Sequence, residues 1–222
     1  MRTQIVPAIL ASDAKDFQKK LKVFQSSFLL VQIDILDGSF GINNRSFYDF
    51  KKIKAMRPKT YFELHLMVDK PEPIYRKWLG WSRLARVIIH YETFHKRKKD
   101  LYDTIKEIQE AGKPVGLAIN PNTAVSKIIQ FLPMIDEVLI MGVHPGWSGQ
   151  KIVQSTLEKV KQVRRYYPKL DIGFDGGLSL ENAKLAVKAG VNILNTTSIF
   201  SKAMDKPSEI KKIKKQLTSL RP

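Results

Sequence analysis

The feature that most constrains this chain is an alternation, repeated eight times, of a short apolar run and a longer segment with one apolar face. The apolar runs are Gln4–Leu10, Leu29–Leu36, Tyr61–Leu66, Arg86–His90, Pro114–Ile119, Glu137–Met141, Asp171–Phe174 and Asn192–Asn195. They are rich in Val, Ile and Leu, as strands buried on both faces are. Between them the spacing predicts helices over Asp13–Phe24, Phe47–Ala55, Pro71–Leu79, Lys98–Ala111, Thr123–Phe131, Gln154–Tyr167, Leu180–Ala189 and Pro207–Leu217. Ser12 and Ser179 are candidate N-caps, and Gly112 and Gly190 candidate stops. Strict alternation with short connections calls for parallel strands joined by helical crossovers. Eight repeats within 222 residues predict one (β/α)8 TIM barrel spanning 1–222. A dinucleotide-binding open sheet is disfavoured, because no Gly-x-Gly-x-x-Gly follows the first strand.

Composition narrows the function classes. Cysteine is absent, which excludes disulfides, thiol chemistry and Cys-ligated zinc. No run of 18 apolar residues occurs and Met1–Val6 leads straight into a strand, so neither a signal peptide nor a membrane partner is expected and the expected location is cytoplasmic. The net charge is +17, with a lysine cluster at Lys206, Lys211, Lys212, Lys214 and Lys215. Basic residues are not interleaved with aromatics and no nucleic-acid-binding motif appears. A solvated lysine-rich surface therefore accounts for the charge better than a specific nucleic-acid partner.

In a barrel of this kind, chemistry belongs at the carboxyl ends of the strands. The second strand supplies Asp34, with Asp37 beyond it; the third His65; the fourth His90 and Glu92; the seventh Asp175. Alternation puts Gln32 and Asp34 on one face, and the barrel interior is the face that avoids stranding a carboxylate against apolar helices. Two carboxylates reaching a cavity from opposite sides can serve as base and acid on the two faces of one carbon. Asp34, His65 and Asp175 also form a three-ligand set for a divalent metal that leaves positions open for substrate oxygens. The plain alternative is that Asp34 caps a turn and His65 is a satisfied core histidine.

The loops after the sixth, seventh and eighth strands suit phosphate. Gly146, Gly149, Gly176 and Gly177 let backbone N–H groups approach an anion, the following helices present positive dipole ends, and Thr196-Thr197-Ser198 adds hydroxyls.

These segments carry a family resemblance. Asp34-Ile35-Leu36-Asp37-Gly38, His65-Leu66-Met67-Val68, Asn120-Pro121, Met141-Gly142-Val143-His144-Pro145-Gly146-Trp147-Ser148-Gly149-Gln150 and Asp175-Gly176-Gly177 resemble the ribulose-phosphate 3-epimerases. The resemblance runs from Pro7 through Phe200 in the same order. It implies a barrel of the ribulose-phosphate-binding type that inverts carbon 3 between D-ribulose 5-phosphate and D-xylulose 5-phosphate. Asp34 and Asp175 match the family's proton-transfer pair. The resemblance also implies one divalent ion (zinc, iron or manganese) on those aspartates and on two histidines, of which His65 matches one. Met67 and Met141 match methionines beside the enediolate, and Gly146, Trp147, Ser148, Gly149, Gly176, Gly177, Thr196 and Thr197 fall in the substrate-binding loops. The expected partners are a phosphorylated ketose and further copies of the same chain.

The departures are specific. Gln32 stands in place of the other metal histidine, Ala8 in place of a substrate-binding serine and Leu36 in place of a methionine. Ser148 replaces a glycine, and Asn195-Thr196-Thr197 a small-residue run. A glutamine can offer its side-chain oxygen to a metal, but an amide is a poorer donor than imidazole for zinc or iron. The changes therefore leave two other readings in play: an epimerase or lyase acting on another ketose phosphate, and a silent phosphosugar-binding protein.

Overall fold

The computed structural model describes residues 3–40, 43–146, 149–204 and 206–221. Eight strands, β1 (Gln4–Ile9), β2 (Leu30–Leu36), β3 (Tyr61–Met67), β4 (Leu84–His90), β5 (Val115–Ile119), β6 (Glu137–Met141), β7 (Asp171–Asp175) and β8 (Ile193–Thr196), pair in parallel in sequence order. β1 and β8 pair as well, which closes the barrel. This is the (β/α)8 TIM barrel that the alternation predicts.

The helices are α1 (Ala14–Gln25), α2 (Phe50–Ala55), α3 (Glu72–Tyr75), α4 (Tyr91–Phe94), α5 (Lys98–Glu110), α6 (Ser155–Tyr166), α7 (Leu180–Ala189) and α8 (Pro207–Thr218). Local chemistry sets their ends. The cap of α1 is Asp13 rather than Ser12: its carboxylate accepts from the Lys15 and Asp16 backbone N–H groups at 2.8 and 2.9 Å, and a carboxylate at a helix start also faces the positive dipole end. Ser179 caps α7 as expected, and Gly190 ends it at φ 119°. The predicted helix over Thr123–Phe131 is instead two 3₁₀ segments, Val125–Lys127 and Ile129–Met134. Pro133 lacks the N–H an α-helix needs there, and its ring crowds the carbonyl one turn back. The helix predicted from Phe47 begins only at Phe50, behind the cap Asp49.

Strand alternation sorts side chains between two cores. Ile33, Ile35, Leu64, Val87, Ile89 and Phe174 point outward and are buried with Phe17, Leu21 and Phe24 of α1 in the main hydrophobic cluster. Each such side chain contributes about 1.5–3 kcal/mol. Inside the barrel, Ile88, Ala118, Leu139 and Met141 form a small apolar cluster on the β4–β6 side. The polar interior positions come from β2, β3, β4, β6, β7 and β8, and the functional groups lie among them. Register fixes their neighbours: Gln32 is level with Glu63, Asp34 with His65, Glu63 with Arg86 and Asp175 with Asn195. No helix among the described residues is long and apolar enough to cross a membrane.

Candidate active site

One cavity at the carboxyl end of the strands is lined by Asp34, His65, Met67, Met141, Gly146, Gly149, Asp175, Gly176, Gly177, Thr196 and Thr197. Trp147 and Ser148 lie outside the described residues. Gln32 is wholly buried beneath the cavity floor. The structure thus brings together nearly every residue the sequence singled out. Sequence reasoning passed over Leu10 and Phe40, which pack with Leu36 and Met67 as an apolar cluster beside the floor.

His65 sits between the carboxylates. Its Nδ1 is 3.1 Å from Asp34 Oδ1 and 3.3 Å from Asp175 Oδ2, and its Nε2 is 2.8 Å from His90 Nε2. His90 Nδ1 in turn lies 3.2 Å from Glu92 Oε2, and Glu92 accepts from the Asn120 N–H at 2.9 Å and from the Thr123 hydroxyl. His90 and Glu92 therefore stand behind His65 rather than in the cavity wall. Burial alone would push the His65 ring down, but its hydrogen bonds to Asp175 and Asp34, and their charges, carry it up to about 10. Burial holds His90 below its ordinary value, and burial pushes the Asp175 carboxyl up. The protons follow in one direction: His65 donates from both nitrogens, and neutral His90 accepts on Nε2 and donates from Nδ1 to Glu92.

Asp34, His65 and Asp175 can each offer one ligand atom, all within 4.8 Å of one another, so the three fit a single divalent ion. Gln32 does not join them as a fourth oxygen ligand. Its Nε2 donates to Asp34 Oδ1 and to Asp175 Oδ2, both at 2.7 Å, while its Oε1 accepts from Asn195 Nδ2.

Above this floor, the glycine loops form a cradle. Gly176 and Gly177 have φ of 92° and 68°, and a Cβ on Gly177 would sit 2.8 Å from the backbone N and Cα of Ile152. Only glycine lets the β7–α7 loop lie this close to the chain entering α6. The Asn44 amide donates to Gly146 O at 2.8 Å and ties the loop after β2 to the same cradle. The Thr197 and Ser198 hydroxyls donate to the backbone oxygens of Ala8 and Leu178, so those hydrogens are committed to structure. Thr196 Oγ1 accepts from the Ile199 N–H at 3.4 Å and keeps its own hydrogen for the cavity.

Residues 4–200 match the model of the ribulose-phosphate 3 epimerase family. The chain belongs to that family. It is 33% identical to a ribulose-phosphate 3-epimerase of Candida glabrata over 216 residues, 89% of this chain and 85% of that protein. Identity to the ribulose-phosphate 3-epimerase of Bacillus subtilis is 32%, covering 95% of this chain and 98% of the relative. As a member of this epimerase family the protein is an isomerase. Among solved structures, a 3-hexulose-6-phosphate synthase from Salmonella typhimurium superposes with TM-score 0.69 at 15% identity, covering 97% and 98% of the two chains. A mutant tryptophan synthase alpha-subunit from Pyrococcus furiosus superposes with TM-score 0.68, also at 15% identity, over 99% of each. At that identity these two speak for the fold alone.

Beneath the candidate site lies a second buried layer that sequence reasoning missed. Arg86 lies between two glutamates, 2.6 Å from Glu63 and 2.5 Å from Glu137, and Asn195 Nδ2 donates to Glu63 Oε1 at 2.7 Å. The signal was present in the alternation: Glu63 is two residues before His65, and Arg86 four before His90, so each shares the inward face of its strand.

Proposed function

We propose that the protein inverts carbon 3 of a phosphorylated ketopentose, interconverting D-ribulose 5-phosphate and D-xylulose 5-phosphate. The observation that carries this reading is the convergence of Asp34 and Asp175, from β2 and β7, on one buried imidazole at the floor of a glycine-lined cavity. One aspartate removes the carbon 3 proton from its face of the sugar, leaving a planar enediolate. The other returns a proton to the opposite face; the roles are reversed when xylulose 5-phosphate is the substrate, and exchange with solvent resets the two carboxyl groups between turnovers. His65, drawn to a charged state by both carboxylates, holds them in register. His90 and Glu92 fix the ring's orientation. Met67, Met141 and Leu36 keep water from the planar intermediate, so protons come and go through the two carboxyl groups.

The sugar is oriented by its phosphate, which we place against the loops Gly146–Gly149, Gly176–Gly177 and Thr196–Thr197. Backbone N–H groups and the Thr196 hydroxyl are the donors. Asp34, His65 and Asp175 would hold one divalent ion, zinc, iron or manganese. Such an ion supplies Lewis-acid charge for the two oxygens of the enediolate. The test is conversion of ribulose 5-phosphate to xylulose 5-phosphate by the purified protein across a panel of divalent ions. Turnover with at least one ion is expected, and none with any ion refutes the reading.

A further inference from the structure

The sense of the hydrogen bonds beneath the cavity can be followed from one end to the other. Arginine carries five N–H donors and no acceptor, so Glu63 Oε2 must accept from Arg86. The other oxygen of Glu63 faces Asn195, which presents its NH₂ there. The same NH₂ donates to Gln32 Oε1 at 2.7 Å, and this leaves the Gln32 NH₂ for Asp34 and Asp175. Turning both amides over would set Asn195 Oδ1 against the Glu63 carboxylate and Gln32 Oε1 against two more carboxylates. The observed sense prevails even though it leaves Asn195 Oδ1 buried without a partner. The two acidic ends demand donors, and the two amides between them comply.

We infer that Arg86 and Glu63, acting through Asn195, are positioning residues that commit Gln32 to donate its amide to both proton-transfer aspartates, so that this position opposes a cation instead of ligating one. Gln32 Nε2 also lies 3.3 Å from His65 Nδ1, so the amide stands among all three groups of the ligand set. It serves as a neutral bridge between Asp34 and Asp175. For a metal to gain a fourth ligand here, the whole chain of amides back to Glu63 would have to reverse.

Glu63→Gln should permit that reversal. Arg86 would claim the oxygen of the new amide and turn its NH₂ toward Asn195. Asn195 could then present Oδ1, and Gln32 would donate to it and face its own oxygen into the cavity. Glu137 remains as the carboxylate partner of Arg86, so the buried charge stays paired.

The inference rests on reading Asp34, His65 and Asp175 as a cation site, and it is tested by calorimetric titration of the metal-free protein with Mn²⁺ and no sugar present. Because turnover is not read, failure here leaves the epimerase reading standing, and absence of turnover leaves this inference standing. Glu63→Gln is expected to bind Mn²⁺ at least tenfold more tightly than wild type, a gain that mere structural damage would not produce. Gln32→Leu, which removes both the amide donor and the amide oxygen, is expected to bind Mn²⁺ no more weakly than wild type. If Glu63→Gln does not fold, Gln32→Leu decides alone. Affinity unchanged or lower in Glu63→Gln, or a tenfold loss in Gln32→Leu, overturns the inference and makes Gln32 an oxygen ligand.

Discussion

Replacing Arg86 by Met removes the one cation that the structure sets between Glu63 and Glu137, while keeping most of the side chain's length. Both carboxyl groups are fully buried, and Arg86 is 9% exposed. Burial pushes the Glu137 carboxyl up to about 8 against the pull of Arg86, and Gly173 packs so closely that a Cβ there would sit 2.0 Å from Glu137 Oε1. Neither glutamate can move out to water. Breaking a buried pair by removing one partner costs about 3–5 kcal/mol. At this chain length, that corresponds to a fall in Tm of roughly 10 °C. The sign of the pH dependence follows from Glu137. Its folded value is about 8, whereas an unfolded glutamate titrates near ~4.3. Between those limits the folded state holds more protons, so this group's contribution is fully present below the lower value and is lost as pH rises through the upper one. Without the pull of Arg86 the Glu137 carboxyl favours the proton more strongly, so the deficit of Arg86→Met should be smaller near pH ~5 than near pH ~8. Urea unfolding at the two pH values measures it. A loss under about 1 kcal/mol, in the range of an exposed ion pair, or a deficit larger at the acidic pH, would refute the buried-triad reasoning.

Other consequences are more local. Gly177→Ala forces a left-handed alanine, costing about 1–2 kcal/mol, and drives a Cβ into the Ile152 backbone. KM for the sugar phosphate should rise about tenfold, equivalent to ~1.4 kcal/mol, with kcat within a few fold, and an unchanged KM would place the phosphate elsewhere. Asp175→Asn should abolish proton exchange with solvent at carbon 3 whichever ion is supplied, and exchange at the wild-type rate would remove Asp175 from the mechanism. Because His65 keeps its proton up to about 10 in the metal-free protein, ion binding at pH ~8 should release about one proton. Titrations in buffers of different ionisation enthalpy read that number, and a value of zero would mean that His65 is not a ligand.

Much of this was legible in the sequence because a barrel strand has a period of two and a fixed functional end. That rule alone put Gln32 and Asp34 on the inward face and gathered Asp34, His65 and Asp175 on one rim. What escaped depended on closure of the barrel. Arg86, Glu63, Glu137 and Asn195 come from four strands, and only the parallel register brings Glu63 level with both Gln32 and Arg86. The orientation of the Gln32 amide is set three residues away along that chain, so its composition as a possible oxygen donor could not reveal it. The hydroxyls of Thr197 and Ser198 were read as anion donors, whereas the structure spends them on the carbonyls of Ala8 and Leu178. The helix expected over Thr123–Phe131 failed because Pro133, just beyond it, governs the last turn.

The central claim, that Asp34 and Asp175 exchange the carbon 3 proton on opposite faces of the sugar, is tested most directly in D₂O. Ribulose 5-phosphate is incubated with the protein and a divalent ion, and the products are examined by NMR and mass spectrometry. The account predicts xylulose 5-phosphate carrying a single deuterium, at carbon 3, with recovered substrate labelled only at that carbon. Xylulose 5-phosphate that forms with the original hydrogen retained, deuterium at another carbon, or no conversion with any ion would contradict it.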